Sequence, residues 1–590
     1  MLAAMALCFT CLHGVAQARV MPDEKTLQIF DIGATASGSY LAGRQAMRQR
    51  DYEAASRFMQ RTLELDPRAP GLARNALALF ISTGQWQSAA ALARRIVRTH
   101  PRHRLARMVL GLQAALRNDM KTARAHFIKA AASPLGVLSG GMLAAWTWLA
   151  KPDLREGLKS LDILDSYPAF SAFKVYHKAL MADLAGHAVR AGKLYARAWK
   201  ENPGSMRLTW AYGNFLRRQG RARKAIAIYE RFLRSVPDNA IIRAQLAETR
   251  KRPRHKPLPM VGSVRDGMAE VLFSLTSALL DERSYDSALL HARMTLALRP
   301  GLHVARMLLG ETNESLRRRE QALAAYMQVP PGHPLYATAR LRAARVLHGL
   351  GRVDEAIALL RKLSREAAGD SRPFSLLGDV LRSEKRWKDA SAAYTAALKI
   401  MRRQGRGNWR LFYNRGITYE RAGAWKKAER DFRQALKLQP GQPSVLNYLG
   451  YSLIDRGERL KEALGMVKRA VQARPNDGYI VDSLGWAYYR LGKYHDAVRE
   501  LERAVSLLPT DPVINDHLGD AYWRVGRRLE ARFQWRHALD GRPAPEPELK
   551  RKLLDKLAHG PRAPHGKGKG GGNGNTSAPL AAGNAHKPKG

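Results

Sequence analysis

Cysteine is almost missing from this chain of 590 residues, which contains two, Cys8 and Cys11. Both lie in the first apolar stretch, so a chain that loses this stretch keeps no thiol. Disulfide bonds and thiol chemistry are therefore excluded for the rest of the protein.

Acidic residues are few relative to basic ones: 51 Asp and Glu face 99 Lys and Arg, a formal net charge of +48. Such a field attracts polyanions, including nucleic acid, anionic lipid, lipopolysaccharide and acidic proteins. The excess is mostly Arg spread along the whole chain, so the alternative is that it decorates solvated helix faces. Runs of β-branched residues are also scarce, whereas Ala, Leu and Arg dominate, which favours an all-helical protein.

Motifs for catalysis are missing too. The sequence has no Walker loop, no H-E-x-x-H and no G-x-S-x-G. Gly566, Gly568 and Gly571 match G-x-G-x-x-G, but no strand precedes them and we interpret the match as chance. The 17 histidines are scattered; a lone one such as His517 is more typical of packing than of ligation. We expect no enzyme activity, cofactor or metal.

Residues 1–18 have the features of a secretory signal peptide, with a continuous apolar run and Ala16-Gln17-Ala18 before Arg19. The run has no Lys or Arg ahead of it, so a misassigned start codon is the alternative. Neither cysteine follows a lipobox. The later low-charge stretch 130–150 is interrupted by Pro134 and glycines, which favours a buried helix over a membrane span. We predict export with cleavage after Ala18.

A repeat of 33 to 35 residues organises the chain. Prolines close the successive segments, at Pro67, Pro101, Pro134, Pro168, Pro203, Pro237, Pro300, Pro440, Pro475, Pro509 and Pro543. Within a segment, small and bulky residues recur at the three- and four-residue spacing of two amphipathic helices. The last segment shows this best, with Leu518, Gly519, Tyr522, Ala531, Trp535 and Ala538.

This pattern resembles the tetratricopeptide repeat (TPR) over most of the chain. The resemblance implies an α-α solenoid, a right-handed superhelix of about 14 helix pairs. We predict an N-terminal array over 36–237, a basic break at 238–268, a C-terminal array over 269–543 and a polar capping helix over 546–558. The Gly- and Lys-rich tail, 560–590, has almost no apolar content and is expected to be disordered.

The first helix of each TPR unit lines an inner groove, so its residues outside the core are candidates for partner binding. In the last units these residues are rich in aromatic and Arg side chains, the types enriched at binding hot spots. The alternative is that several rings pack against the neighbouring unit. The candidates are Arg421, Asn447, Tyr451, Tyr479, Asp482, Trp486, Tyr489, Arg490, Asp516, Asp520, Trp523 and Arg524.

A narrower resemblance covers residues 409–539, in strings such as VLNYLGYSLIDRG and DGYIVDSLGWAYYRLGKY. These are similar to large TPR proteins of the Gram-negative cell envelope and, more distantly, to the outer-membrane lipoprotein adaptor of the carboxyl-terminal processing protease. The resemblance implies a scaffold in the periplasm or at the periplasmic face of the outer membrane, with an envelope protease or its clients as partners. The second hypothesis is polyanion binding, to lipopolysaccharide, exopolysaccharide or, least favoured, nucleic acid.

Overall fold

The structure, a computed structural model, describes residues 35–67, 72–151, 153–167 and 170–561. Helices follow one another through these ranges, which contain no β-strand. The predicted all-α class is confirmed. The predicted signal peptide, with Cys8 and Cys11, and the tail from residue 562 onward lie outside the described residues.

The helices have the following bounds in chain order: α1 Ala36–Gln49, α2 Tyr52–Leu65, α3 Leu72–Thr83, α4 Trp86–Thr99, α5 Arg104–Leu116, α6 Met120–Ala130, α7 Met142–Trp146, α8 Leu154–Ser160, α9 Ser171–Leu184, α10 Ala188–Glu201, α11 Met206–Arg218, α12 Ala222–Ser235, α13 Ala240–Lys251, α14 Val264–Asp281, α15 Tyr285–Leu298, α16 His303–Ser315, α17 Arg319–Met327, α18 Tyr336–Gly349, α19 Val353–Glu366, α20 Ser371–Ser383, α21 Trp387–Arg403, α22 Trp409–Arg421, α23 Trp425–Leu438, α24 Pro443–Asp455, α25 Leu460–Ala473, α26 Gly478–Arg490, α27 Tyr494–Leu507, α28 Pro512–Arg524, α29 Arg528–Leu539 and α30 Pro547–His559. A π-helical turn and two 3₁₀ turns, Val137–Gly141, Thr147–Ala150 and Leu161–Ser166, make the repeat at 137–168 irregular.

Short polar side chains cap the N-terminus of the first helix in several repeats. The Asp511 carboxylate accepts hydrogen bonds from the backbone N–H groups of Val513 and Ile514, and Asp477 caps α26 in the same way. These bonds satisfy donors that have no partner inside a helix, so the caps fix where the helix starts.

A left-handed residue makes the turn between the two helices of a repeat. Gly492 and Gly526 hold this position with φ of 73° and 85°. Arg283, Arg317 and Lys385 hold it elsewhere with φ between 57° and 58°. A side chain makes this conformation less favourable, by about 1–2 kcal/mol per residue, so the turn geometry is set by the helix packing around it.

Close approach of the two helices explains the glycines inside them. A Cβ at Gly416 on α22 would lie 2.6 Å from the ring of Phe432 on α23. Gly378 and Tyr394 repeat this arrangement in the preceding unit, also at 2.6 Å. The bulky ring of the second helix therefore fills the space that the glycine of the first helix leaves, as the spacing predicts.

Contacts divide the chain into two compact units, which we call unit 1, ending at Val346, and unit 2, beginning at Leu347. The boundary between the two units, at residues 346 and 347, differs from the predicted boundary between the arrays at 238–268. The division of the repeats into two arrays stays a prediction.

The predicted break at 238–268 contains helix α13 and an irregular stretch from Arg252 to Ser263. Leu258 in this stretch is 88% exposed, whereas Met260 and Val261 are buried. Beyond it, α14 packs against α7 and α9, and α15 packs against α3 and α5. The helices after the break therefore fold back onto the first repeats and share one core with them.

A buried ion pair connects α14 to the earlier helix α11. Glu270 on α14 accepts hydrogen bonds from Arg207 Nε and Nη2 at 2.7 and 2.6 Å and from the Tyr176 hydroxyl at 3.0 Å. The predicted buried helix in the low-charge stretch lies in the same region, where Trp146 is fully buried. Among the described residues, no helix meets the length and apolarity that a membrane span requires.

Candidate partner-binding groove

Consecutive repeats in unit 2 place equivalent residues side by side. The first helices contact each other directly, α24 against α26 and α26 against α28. His517 Nδ1 lies 2.8 Å from Asp482, 35 residues earlier, and Arg490 lies 3.5 Å from Asp455 at the same sequence separation. The repeat period therefore brings most of the predicted groove residues into one region.

Two of the repeat positions form a continuous line along α24, α26 and α28. One position holds Asn447, Asp482 and Asp516, and the position four residues on holds Tyr451, Trp486 and Asp520. We call the set the inner row: Asn447, Tyr451, Asp482, Trp486, Asp516 and Asp520. The side chains change along it from an uncharged amide and phenol to two carboxylates, and we call Asp516 and Asp520 the acidic end.

The structure buries five members of the inner row: Asn447, Tyr451, Asp482, Asp516 and Asp520. Tyr451 belongs to the hydrophobic core of unit 2. This agrees with the alternative interpretation that some of the candidate rings pack against a neighbouring repeat. Trp486 is partly exposed. The set is therefore a largely buried polar row with one accessible aromatic side chain.

Trp486 stacks with two rings. The ring of His517 on α28 lies 4.1 Å from it at 16°, and the ring of Tyr489 lies 4.7 Å from it at 9°. The Tyr489 hydroxyl accepts a hydrogen bond of 3.2 Å from Arg524 Nε. Because Trp486 stacks with two rings and Tyr489 is bonded to Arg524, this aromatic patch is held in place and loses little conformational entropy on binding.

Carboxylates control the protonation of His517. Burial alone lowers the pKa of its imidazole, but the charges of Asp482, Asp516 and Asp520, with the hydrogen bond to Asp482, raise it above its usual value. The three carboxylates thus favour the imidazolium more strongly than burial disfavours it.

The acidic end holds a lysine of this same chain. Lys556 Nζ on α30 donates to Asp516 at 2.6 Å and to Asp520 at 2.8 Å. Asp520 also accepts a hydrogen bond from Trp535 Nε1 at 3.2 Å. Burial raises the pKa of Asp520 to about 6 although the Lys556 charge opposes it. Helix α30 lies where the capping helix is predicted, and its Lys556 contacts the acidic end of the inner row.

The remaining candidates lie around the inner row. Trp523 packs on Trp535 at 5.5 Å and against Gly560, where a Cβ would lie 2.6 Å from the indole. The Tyr479 hydroxyl donates to Asp511 at 3.2 Å. Arg421 Nε lies 3.5 Å from Glu420. Trp523 therefore contacts the cap, whereas Tyr479 and Arg421 lie outside the inner row.

Models of the family described as tetratricopeptide repeat match residues 79–136, 206–249, 305–371, 371–441, 413–478 and 481–511. Together these ranges cover more than half of the chain. The chain belongs to the tetratricopeptide-repeat family.

Two bacterial relatives match shorter ranges. TPR repeat-containing protein PA4667 of Pseudomonas aeruginosa is 34% identical over 194 residues, 33% of this chain and 32% of that protein. The lipoprotein NlpI homolog of Haemophilus influenzae is 35% identical over 91 residues, 15% of this chain and 28% of that protein. The human protein O-mannosyl-transferase TMTC1 is 26% identical over 192 residues, 32% of this chain and 22% of that protein. The chain thus spans about a third or less of these relatives' lengths.

Two solved structures match most of the chain at low identity. The Cut9 and Hcn1 complex of the APC/C covers 90% of this chain and 98% of its own, at 14% identity and a TM-score of 0.36. Yeast Tom70 covers 89% of this chain and 95% of its own, at 13% identity and a TM-score of 0.32.

One side chain of this TPR protein's inner row is left unpaired. Asn447 Oδ1 is buried and has no hydrogen-bond partner among the described residues. Gln442 Oε1, Asn515 Oδ1 and Gln534 Oε1 are likewise buried amide oxygens without a partner among the described residues, and Asn447 Oδ1 is the one of them that lies in the inner row.

Two participants of the TPR groove are absent from the predicted set. Lys556 lies between Leu553 and Leu557 on the capping helix, but Lys552 holds the equivalent place between Leu549 and Leu553, so the sequence does not single out Lys556. His517 is recognisable as packing, but its ion pair with Asp482 depends on contact between repeats, for which spacing within one helix gives no signal. Among the described residues, no group of three or more His, Cys, Asp or Glu is placed to hold a metal ion.

Proposed function

We propose that this TPR protein is a non-catalytic scaffold of the cell envelope that binds a segment of a partner protein along the inner row of unit 2. The unpaired Asn447 Oδ1 is the observation that carries the proposal. An extended or helical segment supplies N–H groups of the kind that this oxygen lacks.

Neighbouring side chains give the segment an apolar surface to cover. Trp486 and Tyr489 form a stacked, partly exposed pair on the helix one repeat after Asn447, and the exposed Arg490 follows Tyr489 in the chain. Aromatic and Arg side chains supply much of the free energy of binding at protein interfaces. The pair provides contact area, and Asn447 fixes the register of the bound backbone.

Placement in the envelope rests on two separate supports. Residues 1–18 have the features of an export signal, and one relative is named as a lipoprotein. An envelope protease or its clients are the partners we favour, with anionic lipid or polysaccharide as a second contact of the basic surface. Fractionation and N-terminal sequencing test this part; a chain that stays cytoplasmic and keeps Cys8 contradicts it.

Affinity capture from an envelope extract tests the groove. Asn447→Ala removes the unpaired acceptor, so we expect roughly tenfold weaker capture of the specific partner with unchanged helix content. Lys426→Ala, an exposed change on α23, is the matched control and is expected to capture normally.

Capture at two salt concentrations separates this proposal from polyanion binding. Contacts with phosphate release counterions and weaken steeply as salt rises. A partner set that depends on Asn447 and persists at the higher salt supports the groove. A set that vanishes with salt, or that is the same for Asn447→Ala, contradicts it.

A further inference from the structure

We propose that the acidic end binds a lysine-bearing amphipathic helix of a partner protein, and that α30 is a built-in occupant which this helix replaces. The inference rests on the proposed function, since the acidic end continues the inner row. It adds that the partner segment is a helix carrying a lysine, and that this helix displaces α30.

The charges of the acidic end define what can occupy it. Asp516 and Asp520 lie one helical turn apart on α28 and are each 7% exposed. Two buried carboxylates this close repel each other and lose hydration, so they need a cation within hydrogen-bond distance. Lys556 supplies it in the described state, with both oxygens within 2.8 Å. Any segment that displaces α30 must therefore bring a cation to the same point.

Lysine fits this point better than arginine. One Nζ atom bridges carboxylates of two different residues, which a compact ammonium group with rotatable N–H donors can do. A planar guanidinium favours the parallel, two-atom pairing with one carboxylate that Arg207 makes with Glu270. The site is thus specific for the shape of the cation as well as for its charge.

The face of α30 supplies the rest of the pattern. Leu549, Leu553 and Leu557 recur every four residues and pack against the core of unit 2, with Lys556 among them. Gly560 then fits against Trp523, where a Cβ would lie 2.6 Å from the indole. A partner helix with leucines at this spacing and a lysine before the third one would fit the same surface.

Few apolar side chains of α30 are buried for a helix of its length. Leu553 is its one fully buried residue, whereas α29 before it buries Ala531, Trp535 and Ala538. Elements with few buried apolar contacts open at low free energy, so α30 can leave while the repeats stay folded.

A partner helix has more to contact than α30 does. Trp486 and Tyr489 stay partly exposed while α30 is seated, and the inner row runs on to the unpaired Asn447. A longer segment that places its lysine at the acidic end covers these side chains as well. That added contact is what lets it displace the tethered helix.

A labelled peptide of residues 546–560, the α30 sequence itself, is the probe. Leu553→Asp in the full chain loosens the native helix, and we expect this receptor to bind the peptide about tenfold more tightly than the wild type does. Lys556→Gln, a milder change, is the second receptor and is expected to rank between them. Helix content and melting temperature show that each receptor keeps its repeats.

Peptide variants test the role of the lysine. Lys556→Gln in the peptide should weaken binding to the Leu553→Asp receptor by about tenfold. Lys550→Gln is the matched control, because it removes the same charge from an exposed position and should bind like the parent peptide. Equal binding of the two variants, or no binding to either loosened receptor, overturns the inference.

Two further results keep the alternatives apart. Concentration-dependent dimers of the wild type, abolished by Leu553→Asp, would show that a second copy is the occupant and overturn the partner proposal. If the peptide fails while capture that depends on Asn447 persists, the inference falls and the proposed function stands. If the peptide binds but the Asn447→Ala variant captures the partner as the wild type does, the proposed binding along the inner row is contradicted and the inference about the acidic end is not.

Discussion

At the scale of single residues, the charges buried inside unit 1 are held by specific partners. Burial alone would raise the pKa of Glu270, but the guanidinium of Arg207 brings it below its usual value. Both side chains are at most 8% exposed. A carboxyl whose pKa is lowered on folding adds stability above its unfolded pKa, near 4.5, and this stability is lost as the pH falls through the folded value.

Glu270→Gln is therefore expected to destabilise unit 1 by about 3–5 kcal/mol, because it leaves the Arg207 charge buried without a counter-charge. Urea unfolding at neutral pH measures the change. Asp389→Asn breaks the exposed pair with Arg386, whose side chains are 42% and 50% exposed, and should cost about 1 kcal/mol or less. Similar losses in the two variants would contradict the buried pair's role.

His517 makes the stability of unit 2 sensitive to pH. Its pKa is raised above 6.5, so the stability it contributes is complete below that pH and declines as the pH rises through the folded value. The pKa of Asp520 is raised from 3.8 to about 6, so the stability that Asp520 contributes also declines as the pH rises from 3.8 to 6. We expect the melting temperature to fall between pH 6 and pH 8, and to fall less in His517→Gln. An equal fall would show that His517 is not the responsible group.

At the scale of helices, glycine positions within the repeats are not equivalent. Gly416→Ala puts a methyl group 2.6 Å from the Phe432 ring and is expected to cost about 1–3 kcal/mol by overpacking. Gly465→Ala on α25 meets no atom within 4 Å and should stabilise its helix by about 0.5–1 kcal/mol. Thermal melts of both variants give the comparison. The same sign for both would mean that helix propensity, and not close packing, decides.

Much of this helical pattern could be predicted from the sequence, because spacing reports which face of a helix is buried. The cap predicted over 546–558 corresponds to Pro547–His559. The seating of Lys556 on Asp516 and Asp520 could not be predicted, since periodicity does not say which groove a helix fills. For the same reason the packing of α14 on α7 and α9 gives no local signal.

At the scale of the whole molecule, the exposed stretch 252–258 is a site where a protease can cleave unit 1 while the two fragments remain associated. Trypsin should cleave after Arg254, which is exposed and not followed by proline. The two pieces should stay together on size-exclusion chromatography, because Glu270 pairs with Arg207 and α14 packs on α7 and α9 across the cut. Separation of the pieces in native buffer would contradict the shared core, and resistance to cleavage would mean that the stretch is protected.

Site-specific photocrosslinking locates the partner-binding surface most directly. A photoreactive phenylalanine at position 486 replaces the partly exposed Trp486 beside the inner row, and the same residue at position 499 replaces Arg499, whose side chain is 65% exposed on α27. We expect discrete crosslinked proteins from position 486 and none of them from position 499 in the cell envelope. Crosslinks from position 499 alone, or the same proteins from both positions, would contradict binding along the inner row of unit 2.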